Sequence, residues 1–378
     1  MPEGDRRPER SDSAAFYRWL DLWRAVAAGL VLISHARDVL VDDYAGQRAY
    51  APFYALTGFG HSGVIIFFVL SGFWISRSVL GRLDRPGFWI SYLIDRLARL
   101  EIVLIPALVL GGLLDHLGLF GAALPVYSGS TGAHSIDGQT AARLSPGVFV
   151  ANLVFLQTLL APVWGSNGPL WSLANEFWYY IWFPALAMLL VRRKTSLPLA
   201  GLAIGLLNSS LYLGFGCWLV GLGLLLAVRR REARSPASGP PGPWRIVVAV
   251  TSFAATLLAA GAFKTNDLDL PLSAAFGWFL YELAIARVPF PRFAQVVAKF
   301  GAGSSYSLYA VHFPLVVLTG GWLARGGRLA PGPESIVLVL LVSALCVAAA
   351  WLFSQATERH TGRLRKALRT RLLPPSAR

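Results

Sequence analysis

Charge is scarce in this sequence. Only 14% of its 378 residues are Asp, Glu, Lys or Arg, where a soluble domain of this length needs about 25% to cover its surface. Cysteine is nearly absent too. Cys217 and Cys346 lie inside apolar runs, which excludes a disulfide framework and leaves no metal-ligand spacing, so no metal is expected. A phosphate loop is missing, because Gly60-His61-Ser62-Gly63 has neither the glycine spacing nor a Lys-Ser/Thr pair. Its glycines read as close-packing positions, with His61 at an external mouth. No internal repeat is visible, which argues against an inverted-repeat transporter. No small-residue cleavage pattern follows the first apolar run, which opens with Asp21 and Arg24, so no cleavable signal is expected. What is abundant is hydrocarbon: 55% of the residues are hydrophobic and mean hydropathy is +0.54. Runs such as Leu100–Leu114 and Ile336–Phe353 exclude an ordinary soluble, disordered or fibrous chain. The expected class is an all-α, polytopic integral membrane bundle.

A helix needs roughly 20 residues to cross the hydrocarbon core. Ten stretches qualify: 19–39, 62–80, 98–120, 171–191, 196–212, 213–228, 245–262, 270–286, 302–322 and 335–355. The turn inside 196–228 is placed at Gly214–Gly216. A further apolar stretch, 148–162, is short for a span and is expected to be re-entrant or interfacial; counting it would give eleven. Net charge is +14, from 34 Lys+Arg against 20 Asp+Glu. With ten spans and a cytoplasmic N-terminus, inner loops hold Arg77, Arg82, Arg85, Arg96 and Arg99, then the clusters at 192–194, 229–234, 287–292 and 363–371. The outer side receives Arg48, Arg143, Lys264, Arg325 and Arg328. That asymmetry is the positive-inside pattern, with both termini cytoplasmic in the inner membrane, and it explains the basic residues without nucleic acid. Three regions follow: a tail at 1–18, one transmembrane unit at 19–355, and a basic tail at 356–378. The loop 121–147 is large enough to shape an external acceptor mouth.

An ionisable group inside a span costs several kcal/mol unless it faces a cavity or a partner. His35 sits late in the first span, toward the outer side, with Asp38 three positions on and nearly on the same face. Such an imidazole can take a proton from a hydroxyl and be oriented by a carboxylate; the alternative is a helix-end histidine bonded to a neighbour. Arg24 is three turns before His35 and one turn after Asp21. Arg96 and Arg99 form a one-turn pair able to clamp phosphates, although positive-inside charge explains them equally. Glu176, after Trp171-Ser172-Leu173, is expected at the outer end, in the His35 layer. Ser305, Tyr309 and His312 share one side of a later span, which Pro314 can kink. His116, His134 and His360 lie at a span end, in a loop and near the tail, and are read as bland.

Four stretches then stand in order along 17–355. They are Leu20-Asp21-Leu22-Trp23-Arg24 through His35; Gly63-Val64 through Phe67-Phe68-Val69-Leu70-Ser71-Gly72-Phe73; Trp171-Ser172-Leu173 with Glu176 and Phe183-Pro184; and Ser305-Tyr306-Ser307 with Tyr309 and His312-Phe313-Pro314. Together they resemble the membrane-bound acyltransferase family 3, which contains polysaccharide O-acetyltransferases. The chain departs from the family pattern at Ile65, where an acidic residue is frequent, and at Glu101-Ile102, where an aromatic-Pro pair is. The resemblance implies a ten-helix enzyme taking an acyl group, acetyl in the first instance, from acetyl-CoA or another acyl-CoA. The acceptor would be a hydroxyl of a sugar, glycan or glycosylated product. It also implies functional positions at Arg24, His35, Arg96, Arg99, Glu176, Tyr309 and His312. Combined with the depth argument, His35 is expected as general base with Glu176 or Asp38 orienting it. Arg24, Arg96, Arg99, Tyr309 and His312 are expected on the donor. Acyl-CoA, a carbohydrate acceptor and membrane lipid are the expected partners. A glycan or metabolite exporter is the rival from another class.

Overall fold

A computed structural model describes residues 11–192, 204–234 and 242–373, and every element of three or more residues in it is helical. The long helices are α1 (Ser11–Leu40), α3 (Gly60–Leu80), α4 (Phe88–His116), α6 (Leu170–Arg192) and α7 (Ser210–Arg234). They continue with α8 (Pro243–Phe263), α9 (Asp269–Ile285), α10 (Gln295–Leu323) and α11 (Pro333–Ala356). Three shorter ones complete the set: α2 (Ala51–Leu56), α5 (Pro146–Leu153) and α12 (Thr361–Leu372). Seven helical segments among the described residues are long and apolar enough to cross a membrane. The chain is therefore a multi-pass all-α membrane bundle, and the count of ten or eleven is not reached on these criteria. Two long helices fall outside the seven. They are diluted by polar residues that reappear in the candidate site: Asp21, Arg24 and His35 on α1, and Glu176 on α6.

The first part of the expected span 196–212, residues 196–203, lies outside the described residues. Its described end holds a short 3-10 turn, Ile204–Leu207, and then the start of α7. The turn placed at Gly214–Gly216 is corrected, since α7 runs unbroken through it. The break falls just before, where Asn208 Oδ1 accepts from Ser210 N at 3.1 Å and from its Oγ at 2.7 Å. That Asx contact starts a helix by satisfying an otherwise orphan N–H. The segment 148–162 gives only α5, eight residues long. At 1.5 Å per residue it reaches about 12 Å, too short to cross.

The bundle packs around α1 and α10, which lie along each other. On one side α1 meets α3, which meets α7 and α9; on the other α10 meets α4 and α11. Small residues set the closest crossings. A Cβ at Gly72 of α3 would come 1.9 Å from the Trp218 carbonyl oxygen, and one at Gly221 of α7 would come 2.1 Å from that of Val69. Gly301 of α10 faces the Asp21 carbonyl of α1 at 2.0 Å in the same sense, and Gly63 faces that of Ala27 at 2.7 Å. Lipid tails offer no hydrophobic contrast between helices, so this backbone-to-backbone approach is a main source of packing energy.

Candidate active site

Two cavities lie side by side between these helices. The larger, of about 470 Å³, is lined by Arg24, Arg96, Arg99, Glu176 and Tyr309, with Asp21, Tyr180, Tyr306 and Arg365 among its other walls. The smaller, of about 320 Å³, is lined by His35, His61, Ser34, Ser135, Trp171 and Tyr309. Both volumes suit a small-molecule site. Tyr309 belongs to both. Its hydroxyl donates to the Pro169 carbonyl at 2.6 Å and lies 2.5 Å from Ser172 Oγ, while Asn167 Nδ2 donates to the neighbouring Ala310 carbonyl at 2.9 Å. The start of α6 is thereby docked against α10 where the cavities meet.

The arginine cavity draws on six helices, α1, α3, α4, α6, α10 and α12. Arg24 lies 3.8 Å from Asp21 on α1. Arg99 reaches Glu358 at 3.8 Å, and Glu358 Oε2 accepts from Ser307 Oγ at 3.0 Å, tying the end of α11 to α10. The Arg96 guanidinium sits over the Tyr92 ring at 5.7 Å, and its Nε is buried without a hydrogen-bond partner among the described residues. Glu176 is held by a hydrogen bond of 2.5 Å from Tyr180 Oη, with Ser71 and Trp218 Nε1 behind it at 3.5 and 3.2 Å. One expectation is corrected here. Glu176 lines the arginine cavity and is not among the residues around His35. One turn separates it from Ser172, enough on α6 to carry it past Tyr309.

His35 takes its neighbours from α10. Its ring lies 5.5 Å from that of His312 and packs edge-on to Phe313 at 4.7 Å. The His312 Nδ1–H donates back to the Leu308 and Tyr309 carbonyls at 3.0 and 2.9 Å, so Nε2 is the lone-pair nitrogen, buried with no hydrogen-bond partner among the described residues. His312, expected on the donor, therefore sits against His35 instead. Asp38 is corrected as well. Its carboxylate accepts from the backbone N–H groups of His134 (3.3 Å) and Ser135 (2.9 Å) and from Ser135 Oγ, and no hydrogen bond joins it to His35. Periodicity put both side chains on one face, but the returning loop claims the carboxylate.

Asp38 instead fixes the loop that brings Ser135 to the cavity. Beside it Asp43 accepts from Arg328 Nη1 and Nη2 at 3.2 and 2.9 Å and lies 3.1 Å from His134 Nε2. Those bonds hold the Asp43 carboxyl below the usual carboxylate range. Asp38, Asp43 and His134 offer ligand atoms close enough for a cation. Arg328 and the loop N–H groups already occupy these oxygens.

Two features escaped sequence reasoning. Arg365 and Thr361 of α12 line the arginine cavity, and α12 is anchored by Arg369, whose Nε and Nη2 donate to Asp95 at 3.0 and 2.8 Å. Arg82 donates to the same buried carboxylate at 2.8 Å. Positive-inside charge had accounted for all three arginines. His61, read only as a mouth residue, bonds Asp269 of α9 and shares the cavity with His35. Asp269 is 208 positions away, and nothing local signals it.

A family profile described as an acyltransferase domain matches residues 17–355, nearly the whole chain. The chain belongs to the acyltransferase 3 family. An O-acetyl transferase of Shigella phage Sf6 is 33% identical over 164 residues, 43% of this chain and 43% of that protein. The chain thus spans under half the length of that relative. No solved structure matches it. In this acyltransferase 3 chain, α12 and Arg365 lie beyond the matched region, whereas both cavities are otherwise built inside it.

Proposed function

We propose that this chain is an O-acyltransferase that moves an acyl group, acetyl in the first instance, from acyl-CoA to a hydroxyl of a sugar, glycan or glycosylated product. It would work as one unit over 19–355 in the inner membrane, with the tails at 1–18 and 356–378 cytoplasmic. The observation that carries this reading is the shared wall at Tyr309 between an arginine-lined cavity and a histidine-lined one. Guanidinium groups bind phosphates strongly, and CoA presents several. Arg24, Arg96 and Arg99 would hold the donor from the cytoplasmic side, while Glu176 balances their charge and is fixed by Tyr180. The acyl thioester then reaches Tyr309. His35, braced by His312 and Phe313, takes the proton of the acceptor hydroxyl as its oxygen attacks the thioester carbonyl. The new C–O bond forms, the C–S bond breaks, and the imidazolium returns its proton to the CoA thiolate. Membrane burial keeps competing water low.

The test is purified protein with radiolabelled acetyl-CoA and a panel of methyl glycosides. Wild type transfers label. His35→Ala lowers turnover at least about 100-fold, the scale of a positioned base, while CoA binding is retained. Arg96→Ala and Arg99→Ala weaken CoA binding about tenfold, as expected for lost hydrogen bonds to a charged group. Full transfer by His35→Ala would remove the base. No CoA turnover by wild type would remove the class and favour the exporter.

A further inference from the structure

The outer cavity contains a second imidazole with a better-defined tautomer than His35. His61, in the first turn of α3, places Nε2 at 2.9 and 3.0 Å from the two carboxylate oxygens of Asp269, in the first turn of α9. The carboxylate is buried at 7% exposure while the His61 side chain is 46% exposed. A buried carboxylate is costly without a partner, and His61 supplies the only hydrogen bonds to it among the described residues. With Nε2–H committed to Asp269, the neutral ring keeps its lone pair on Nδ1. His312 spends its Nδ1–H on backbone carbonyls and is almost wholly buried, and His35 has no carboxylate partner. The Trp171 indole lies nearly parallel to the His61 ring, at 14° with centroids 6.3 Å apart, and lines the same cavity as Ser34 and Ser135. An apolar ring face next to a fixed lone pair and two hydroxyls suits a ligand with several hydroxyls on a rigid ring.

We propose that the His61–Asp269 dyad, with Trp171, is the acceptor subsite. Nδ1 of His61 accepts a hydrogen bond from a hydroxyl next to the one acylated, so the acceptor is a cyclic polyol of the carbohydrate class. This rests on the acyl-transfer reading above but assigns the dyad a task separate from that of His35. Asp269 is a positioning residue; His61 touches the substrate.

The experiment compares wild type, His61→Phe and Asp269→Asn with acetyl-CoA and methyl α-glucoside, methyl α-galactoside and methyl α-rhamnoside, together with monodeoxy versions of whichever is acylated. His61→Phe replaces the imidazole with a ring that has no nitrogens, so its melting temperature falls as the buried Asp269 carboxylate loses its partner, while its acetyl-CoA KM stays at the wild-type value. Its acceptor KM rises about tenfold, the scale of one lost hydrogen bond to a fixed partner. One deoxy acceptor costs wild type a similar factor and costs His61→Phe almost nothing, a coupling that a merely structural pair would not give. Asp269→Asn raises acceptor KM by a smaller factor. Label transfer by wild type with unchanged acceptor KM in His61→Phe overturns the dyad and leaves the acyltransferase standing. Donor turnover with no glycoside product from wild type overturns the carbohydrate assignment itself.

Discussion

Asp38 does different work from the one that helical spacing suggested, and Asp43, five residues on, does work of the same kind. Asp38 is buried and bonded to two backbone N–H groups of the 121–147 loop, while Asp43 is half-exposed and bonded by Arg328. Both therefore clip loops over the end of α1, just beyond His35. The Arg328 hydrogen bonds lower the Asp43 pKa and raise that of Arg328. A carboxylate with a depressed folded pKa adds stability that is complete above its unfolded value. That contribution is lost as pH falls through the lower folded value. Melting curves of solubilised wild type and Asp43→Asn should therefore differ at neutral pH and converge well below about pH 3.9, the ordinary Asp value. A gap that persists at the acid end would mean that the clip does not depend on the charge of Asp43. Because Asp43 is exposed, the gap at neutral pH should be small.

Between elements, the decisive contacts are backbone to backbone. Gly72 and Gly221 face each other's helices so closely that each added Cβ would overlap main-chain atoms of the partner, at 1.9 and 2.1 Å. Main chain cannot swing aside as a side chain does. Gly72→Ala or Gly221→Ala should cost on the order of 1–3 kcal/mol or more, the range for overpacked interiors. Gly223, two positions on, meets nothing within 4 Å, so Gly223→Ala should be neutral or gain up to about 1 kcal/mol from helix propensity. Thermal unfolding in one detergent across the three variants tests this; equal effects would show that the crossing relaxes freely. The crossing also sets the site, because Ser71, beside Gly72, accepts from Trp218 and donates to Tyr180, which holds Glu176. A shift at the glycines should therefore reach the arginine cavity.

For the whole molecule, what was legible in the sequence was whatever a single helix encodes. Arg24 and His35 share α1, Arg96 and Arg99 are one turn apart, and apolar run length marked most long helices. Partnerships between distant segments were not legible: His61 with Asp269, Asp95 with Arg369, Asp38 with the loop at Ser135. Gly214 and Gly216 misled for a related reason. Glycine marks turns in isolation, but a Cβ at Gly214 would come 2.3 Å from the Tyr179 hydroxyl, so there it makes room inside α7. Sidedness is a property of the whole chain, and the charge asymmetry that assigns it can be tested without activity. The two native cysteines, Cys217 and Cys346, are both buried, so an impermeant maleimide should label wild type little. Ala142 lies exposed in the 121–147 loop and Ala367 lies exposed on α12. In intact cells, Ala142→Cys should label and Ala367→Cys should not, and permeabilisation should make the second reactive. The opposite pattern would put the arginine cavity on the outer face, where cytoplasmic acyl-CoA could not reach it, and the proposed route from Arg99 to His35 would have to be abandoned.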